Sequence, residues 1–113
     1  MAKDDYFVIV YKMLAYLYVQ LKNGNQIEER MISNDGPLFQ INKKYWTYII
    51  IHMISQGFIE GPSVTSAWGG VQIIEDLGKS MITPKGIEYL FDNSLLEKAK
   101  QFLKDIKEIT PFI

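Results

Sequence analysis

The sequence predicts an α+β fold that is mainly helical. Three observations support this fold class: an apolar segment of helical length near the N-terminus, a second helix with clear signals at both ends, and two extended segments directly after it. With 113 residues, 48% of them hydrophobic, the chain is long enough to bury one core. We therefore expect one domain over residues 1–113, with its core at about 5–92 and a C-terminal helix at about 95–108.

The composition argues against several classes of function. Cysteine is absent, which excludes disulfides, thiol catalysis and zinc sites built on thiolates. The single histidine, His52, has no histidine partner for a metal, and no serine or carboxylate motif lies near it in the sequence. Acidic pairs such as Glu75 and Asp76 are adjacent, which does not by itself bring two carboxylates together on one substrate. We expect no enzyme activity, no cofactor, no metal and no small-molecule substrate.

The charge balance and the N-terminal sequence bear on partners and location. The net charge is −1, so any binding of DNA must depend on a local cluster of basic residues and not on the charge of the whole chain. The N-terminus has no basic segment followed by a long apolar run, and the apolar stretches near Lys12 are too short to cross a bilayer. We expect a cytoplasmic protein that does not enter a membrane.

The first helix is predicted to begin at a capping Asp4 or Asp5 and to end at Asn23-Gly24. One face of this helix is apolar and consists of Val10, Met13, Leu14, Leu17 and Leu21. Much of the opposite side is apolar too, since it carries Val8, Ala15 and Val19. A helix that is apolar nearly all round is usually buried on two sides, either within its own fold or at a subunit contact.

The second long helix is the best-defined element of the sequence. Residues 26–32 are ambiguous between a strand and a turn, residues 34–37 form a strong turn signal, and a very short helix is expected after that turn. Asn42 is the predicted N-cap of the long helix, Ile41 is placed to pack on Trp46, and Gly57 can end the helix in the left-handed conformation. Its predicted inward stripe is Trp46, Ile49, Ile50 and Met53.

A β-hairpin is predicted directly after this helix. Residues 58–62 begin an extended segment, residues 71–74 are its expected partner, and residues 63–70 would form an exposed tip that carries Trp68. Thr83-Pro84 then starts another helix, which ends near Asn93, and residues 94–97 form a capping box for the last helix. A long helix followed by a hairpin is typical of a winged helix-turn-helix, in which these two elements are the recognition helix and the wing.

Four segments of the sequence carry a resemblance to a known family: VYKMLAYL in the first helix, KKYWTYIIIHMISQGFIEG, ITPKGIEYL after the hairpin, and the closing NSLLEKAKQFLKDIKEITP. In these segments the chain resembles the YjcQ-like family, small winged-helix proteins of Gram-positive bacteria and their prophages. These segments span nearly the whole chain. The resemblance implies a winged-helix fold with additional C-terminal helices and a phage origin, but it provides no catalytic or ligand-binding residues.

The outward side of the second long helix is the predicted binding surface. It carries Lys43, Lys44, Thr47, Tyr48, Ile51, His52 and Ser55. In a DNA reader the lysines would meet phosphate or guanine, while Thr47 and Ser55 would bond to base edges. In a protein contact, Tyr48 and Ile51 would form an apolar anchor. Alternatively, Tyr48 and Ile51 are covered by neighbouring helices and belong to the core.

Trp68 is the remaining candidate site residue. It could stack on a sugar or on a partner's surface, but exposed tryptophan is uncommon, so we expect it to fold back onto the hairpin. The leading hypothesis for function is a double-stranded-DNA-binding protein, a small phage or host transcriptional regulator. The alternative is a protein–protein interaction module that forms a homodimer or binds another protein and does not bind DNA.

Overall fold

The computed structural model describes residues 6–92 together with Leu95 and Glu97. In chain order its helices and strands are α1 (Tyr6–Asn23), α2 (Lys43–Ser55), β1 (Ile59–Glu60), β2 (Ser63–Ser66), β3 (Gln72–Glu75), β4 (Met81–Ile82) and α3 (Pro84–Leu90). Short 3-10 turns lie at Glu29–Ile32, Trp68–Gly70 and Leu77–Lys79. The prediction of a mainly helical α+β fold is confirmed.

Helix α1 lies at the centre of the domain. It contacts α2, α3 and β4, and its buried side chains come from both predicted sides; they are Val8, Ile9, Val10, Tyr11, Met13, Leu14, Ala15 and Leu17. The apolar character of this helix is therefore accounted for by its own fold. Leu21, near the C-terminal end, is the exception on the predicted face and is exposed. The proposed caps Asp4 and Asp5 lie outside the described residues.

The connection between α1 and α2 differs from the prediction. The short helical turn, Glu29–Ile32, precedes the turn at residues 34–37, and no helix follows that turn before α2. Asn34 closes this segment, because its carbonyl accepts from the Ile41 amide at 2.9 Å and its side-chain amide donates to the Ile41 carbonyl at 3.2 Å. These two bonds hold the chain between them in a loop, which excludes the predicted helix.

Helix α2 begins and ends as the sequence predicts. The Asn42 side chain accepts a hydrogen bond from the Tyr45 amide at 2.8 Å, and Ile41 packs against the core cluster that contains Trp46. At the other end Gly57 has a φ of +81°, and the Phe58 amide returns to the Met53 carbonyl at 2.9 Å, which is a Schellman motif. The predicted inward stripe is confirmed, since Trp46, Ile49, Ile50 and Met53 are the buried residues of α2.

Replacing Asn42 with alanine removes the cap of α2. We expect the free energy of unfolding to fall by about 1 kcal/mol, because the Tyr45 amide loses its acceptor. Urea denaturation followed by circular dichroism measures the change. Asn42→Asp is the matched control, since it keeps an acceptor oxygen and should remain close to the original protein. Equal losses in the two variants would contradict a capping role.

The hairpin is divided into two parts with different registers. β1 pairs with β4, with Ile59 opposite Ile82, whereas β2 pairs with β3, with Ser63 opposite Glu75. The prediction that residues 71–74 pair with residues 58–62 is therefore wrong, and part of the predicted tip is strand β2. The offset arises because two residues separate β1 from β2 whereas five separate β3 from β4. The longer connection contains a 3-10 turn held by the buried side chain of Leu77.

Helix α3 confirms the predicted Thr83-Pro84 start. The Thr83 hydroxyl oxygen accepts from the Gly86 amide at 3.0 Å, with Pro84 at the first helical position. The helix ends at Leu90, a little before the predicted end near Asn93. Beyond it, Leu95 and Glu97 are helical and Leu95 is fully buried. The rest of the helix predicted at 95–108 lies outside the described residues, as do two of the four residues of its capping box, Ser94 and Leu96.

Within the described residues, 6–92 with Leu95 and Glu97, no helix is both long enough and apolar enough to cross a bilayer.

Candidate binding groove

A groove of about 800 Å³ lies between the outer side of α2 and the hairpin. Seven residues of α2, from Lys43 to His52, form one wall, and the consecutive residues 69–74 form the other. We call β2, β3 and the tip between them the outer hairpin. The groove exists because Gly57 follows the end of α2 and reverses the chain, so that β3 lies beside α2.

Six of the eight predicted site residues line this groove: Lys43, Lys44, Thr47, Tyr48, Ile51 and His52. Ser55, one turn further along α2, is exposed but does not line it, and Trp68 stands at the hairpin tip beside it. The opposite wall was missed by sequence reasoning. Residues 71–74 were recognised as a strand, but which neighbour a strand faces follows from its register, and the register was predicted wrongly.

The middle of the α2 wall is aromatic and partly exposed. Tyr48 is 54% exposed, so the alternative in which it belongs to the core is wrong, whereas Ile51 is half-buried. The ring of Tyr48 lies against the His52 ring, with centroids 4.3 Å apart. The two ring planes are tilted by 54°, and together with the half-buried Ile51 they form an uneven, partly apolar floor.

The hydroxyl groups of Thr47 and Ser55 on α2 already donate hydrogen bonds to the helix backbone. Thr47 donates to the Lys43 carbonyl at 2.9 Å, and Ser55 donates to the His52 carbonyl at 3.3 Å. Such bonds to carbonyls of the preceding turn are common for these side chains in helices. In this arrangement each hydroxyl offers only its lone pairs to a ligand, which reduces its value for reading base edges.

The groove carries positive charge on one wall only. Lys43 and Lys44 are exposed at the start of α2, and no carboxylate is among the lining residues. The ammonium of Lys43 lies 5.1 Å from the centre of the Trp46 ring, which holds it near the helix start. The facing hairpin is different, because the sequence from Ser63 to Ile74 contains no charged residue.

Trp68 projects from the tip of the outer hairpin. Its side chain is 98% exposed, so the expectation that it folds back onto the hairpin is wrong. The tip is closed by a bond from the Ala67 amide to the Val71 carbonyl at 2.7 Å, and Trp68 lies inside that short loop. With almost all of its surface in solvent, the indole packs on neither face of β2 and β3. Val71 and Ile73 next to it are also exposed.

Tyrosine side chains from three helices lie close together near one end of this surface. Burial raises the pKa of Tyr6, and the neighbouring Tyr89, Tyr48 and Tyr45 raise it further. The pKa of Tyr89 is raised by burial and then by the negative charge of Asp92. Both phenols are therefore held in the neutral form at alkaline pH.

These raised pKa values predict a loss of stability in alkali. The unfolded chain releases its phenolic protons at about pH 10, whereas the folded protein still holds those of Tyr6 and Tyr89. The stabilisation is thus complete below about pH 10 and decreases as the pH rises above it. Urea titrations at a series of alkaline pH values should show this slope, and the double variant Tyr6→Phe, Tyr89→Phe should reduce it. An unchanged slope in the double variant would contradict the assignment.

No three histidine or carboxylate side chains within residues 6–92, Leu95 and Glu97 are arranged to hold a metal ion.

The fold and the groove define a small α+β domain with a largely apolar surface depression beside a long helix. The chain belongs to the YjcQ family, since the family model described as YjcQ protein matches residues 11–109. The resemblance recognised in the sequence is thereby confirmed. Comparison with curated proteins finds no match, and comparison with solved structures finds none either.

Proposed function

We propose that this domain is a winged helix that functions as a protein-interaction module. The order of helix, helical turn, helix and antiparallel hairpin supports the winged-helix assignment, with α2 in the place of the recognition helix and the outer hairpin in the place of the wing. The binding surface is the groove between these two elements.

The single observation that carries this proposal is the exposure of Trp68 on a hairpin that has no lysine or arginine. A wing that binds DNA usually supplies lysine or arginine to the phosphates, because phosphate contacts provide most of the affinity. The outer hairpin has none between Ser63 and Ile74 and instead exposes apolar side chains; these are Val64, Trp68, Val71 and Ile73. Exposed apolar surface next to a groove is characteristic of protein contacts.

Tryptophan contributes strongly to protein interfaces. Full burial of an indole removes on the order of 200 Å² of apolar surface from water, which is worth about 5 kcal/mol before the costs of association. Tyr48 on the opposite wall adds a second large side chain of the type enriched at such interfaces. Tyr48 in the groove and Trp68 at the hairpin tip beside it are therefore the two large aromatic side chains that this surface offers to a partner.

Site-directed photo-crosslinking in cells of the source organism tests the proposal. A benzophenone amino acid at Gln72, which lines the groove, should form adducts with protein. At Glu88, an exposed position of α3 outside the groove, it should not. The added substitution Tyr48→Glu should abolish the adduct at position 72, with thermal melts confirming that the variant folds. Absence of protein adducts at position 72, or adducts unaffected by Tyr48→Glu, would overturn the proposal.

DNA binding is the second candidate, and it is favoured by the two exposed lysines at the start of α2. A helix N-terminus attracts phosphate, and Lys43 and Lys44 would strengthen that attraction. If both lysines neutralise a phosphate, log affinity should fall with log salt at a slope of about −1.8.

Fluorescence anisotropy with random duplexes at low salt tests this second candidate. The double variant Lys43→Ala, Lys44→Ala should abolish the salt dependence, while Lys22→Ala, a lysine on α1 outside the groove, should leave it unchanged. Absence of binding by the unaltered protein would remove DNA as a ligand.

A further inference from the structure

Resting on the proposed function, we infer that the groove is filled by a second copy of this chain. In this arrangement Trp68 of each protomer inserts into the α2–β3 groove of its partner. The proposed contact surface lies within residues 43–74.

The domain carries both halves of a self-complementary contact on one face. Trp68 projects beyond the hairpin, and a groove with an apolar floor opens directly beside the base of that projection. A two-fold axis brings each projection opposite the other copy's groove, so the same contact forms twice and the assembly closes as a dimer. Trp68 does not occupy its own groove, because its side chain is 98% exposed and is not among the residues that line the groove.

Size supports this occupant. The groove, about 800 Å³, is large enough for an indole together with the neighbouring side chains of the tip. We define the exposed apolar set as the five side chains Tyr48, Val64, Trp68, Val71 and Ile73. Val64 and Ile73 lie on opposite faces of the outer hairpin, since Val64 pairs with Ile74 and Ile73 pairs with Thr65, so a partner buries the whole set only by enclosing the hairpin on both sides. At their observed exposures the five side chains offer roughly 600 Å² of surface. A stable interface needs about 800 Å² from each partner, and the uncharged polar residues of the outer hairpin supply the difference.

Charge supports it as well. Lys43 and Lys44 border the groove at the start of α2, so a second positively charged surface would be repelled. The inserting tip has no charge at all, whereas Glu75 is the last residue of β3 and Asp76 follows it at the base of the same hairpin. A two-fold arrangement therefore buries no unpaired charge of the tip and places both signs at the rim, as is usual in interfaces.

The free edges of β2 and β3 give a further reason for an occupant of this kind. The outer hairpin is a two-stranded sheet, so each strand has one edge without a neighbouring strand. Uncharged exposed edges rich in β-branched residues associate non-specifically unless they are covered. Reciprocal docking covers the tip and the groove-lining part of β3 in both copies, which reduces the edge available for open-ended association.

Sedimentation velocity over a concentration series tests the inference with the full chain. The unaltered protein should change from monomer to dimer as the concentration rises. Trp68→Ala and Tyr48→Glu should each weaken dimerisation at least thirtyfold, because each removes an anchor present twice. Met81→Ala is the matched control, an exposed apolar side chain of β4 outside the exposed apolar set, and it should dimerise normally. Circular dichroism shows whether each variant is folded.

A mixing experiment distinguishes insertion into the groove from contact between two tips. The Trp68→Ala copy keeps an intact groove, and the Tyr48→Glu copy keeps an intact Trp68, so an equimolar mixture restores one of the two contacts. Heterodimers should form in the mixture at concentrations where neither variant dimerises alone. Their absence would overturn the reciprocal arrangement.

The possible outcomes separate this inference from the proposed function. A strict monomer whose groove still crosslinks to a different protein overturns the second copy as occupant but leaves the interaction module standing. A monomer without protein crosslinks overturns both. Dimerisation that is insensitive to Trp68→Ala also overturns the inference, because the contact would then lie elsewhere.

Discussion

Replacing Gly86 with alanine should destabilise the domain by about 3 kcal/mol, the upper end of the usual cost of overpacking. A Cβ atom at this position would lie 2.2 Å from the Phe58 carbonyl oxygen and 2.8 Å from a side-chain carbon of Ile82. The first of these atoms belongs to the backbone that ends α2 and enters β1, so it cannot move without disturbing both elements. The midpoint of thermal unfolding should fall by about 12 °C or more.

Gly78 provides the matched control for this substitution. A Cβ atom at Gly78 would meet only a Glu29 side-chain oxygen at 3.5 Å, which is an ordinary contact. Gly78→Ala should therefore change the unfolding midpoint very little. If the two alanine variants were equally stable, the close approach of α3 to the Phe58 backbone would be incorrect.

The substitution Trp46→Ala should cost about 3–5 kcal/mol, the usual range for removing a large aromatic side chain from a core. Trp46 is 3% exposed, and its indole nitrogen donates to the Ile32 carbonyl at 2.9 Å. The indole therefore fills core volume and also fixes the end of the first 3-10 turn to α2. Trp46→Phe keeps most of the volume but leaves the carbonyl unpaired, which should cost about 1–3 kcal/mol.

Replacing the second tryptophan, Trp68, should hardly change the free energy of unfolding. Trp68→Ala removes a side chain that is 98% exposed, and its effect on the free energy of unfolding should stay within about 0.5 kcal/mol. Both tryptophan variants should be compared at low protein concentration, because association stabilises the folded state. A large loss of stability for Trp68→Ala in the monomer would show that the indole packs within its own chain.

Sequence reasoning succeeded where a local signal decides the structure. Asn42, Gly57 and Thr83 each act through hydrogen bonds to residues close in sequence, and all three helix boundaries were predicted from them. The inward stripe of α2 follows from the helical period in the same way. These features require no knowledge of distant neighbours.

The hairpin register was missed because it depends on packing between distant residues. β1 and β4 contain only two residues each, too few for a visible alternation of apolar and polar side chains. The offset between the two ladders depends on Leu77 entering the core, which a short LGK segment between polar residues does not indicate. The short helix predicted after residues 34–37 is absent for a similar reason. Hydrogen bonds between Asn34 and Ile41 span that segment and hold it in a loop.

The candidate site was predicted on one wall only. The outward face of α2 follows directly from its inward stripe, so Lys44, Tyr48 and their neighbours could be identified as surface residues. The position of the hairpin beside them depends on the register, and the exposure of Trp68 contradicts the general preference of tryptophan for burial. The absence of lysine and arginine between Ser63 and Ile74 is visible in the sequence, but it does not indicate which element the hairpin faces.

The interruption between the two strand ladders has a consequence for local unfolding. The five residues between β3 and β4 separate the backbone bonds of the outer hairpin from those of β1 and β4, which are continuous with the core through Ile59 and Ile82. The outer ladder can therefore open as an independent cooperative unit while the rest stays folded. Amide protons of β2 and β3 should exchange with solvent deuterium far faster than those in the middle of α1, and binding at the tip should slow them selectively.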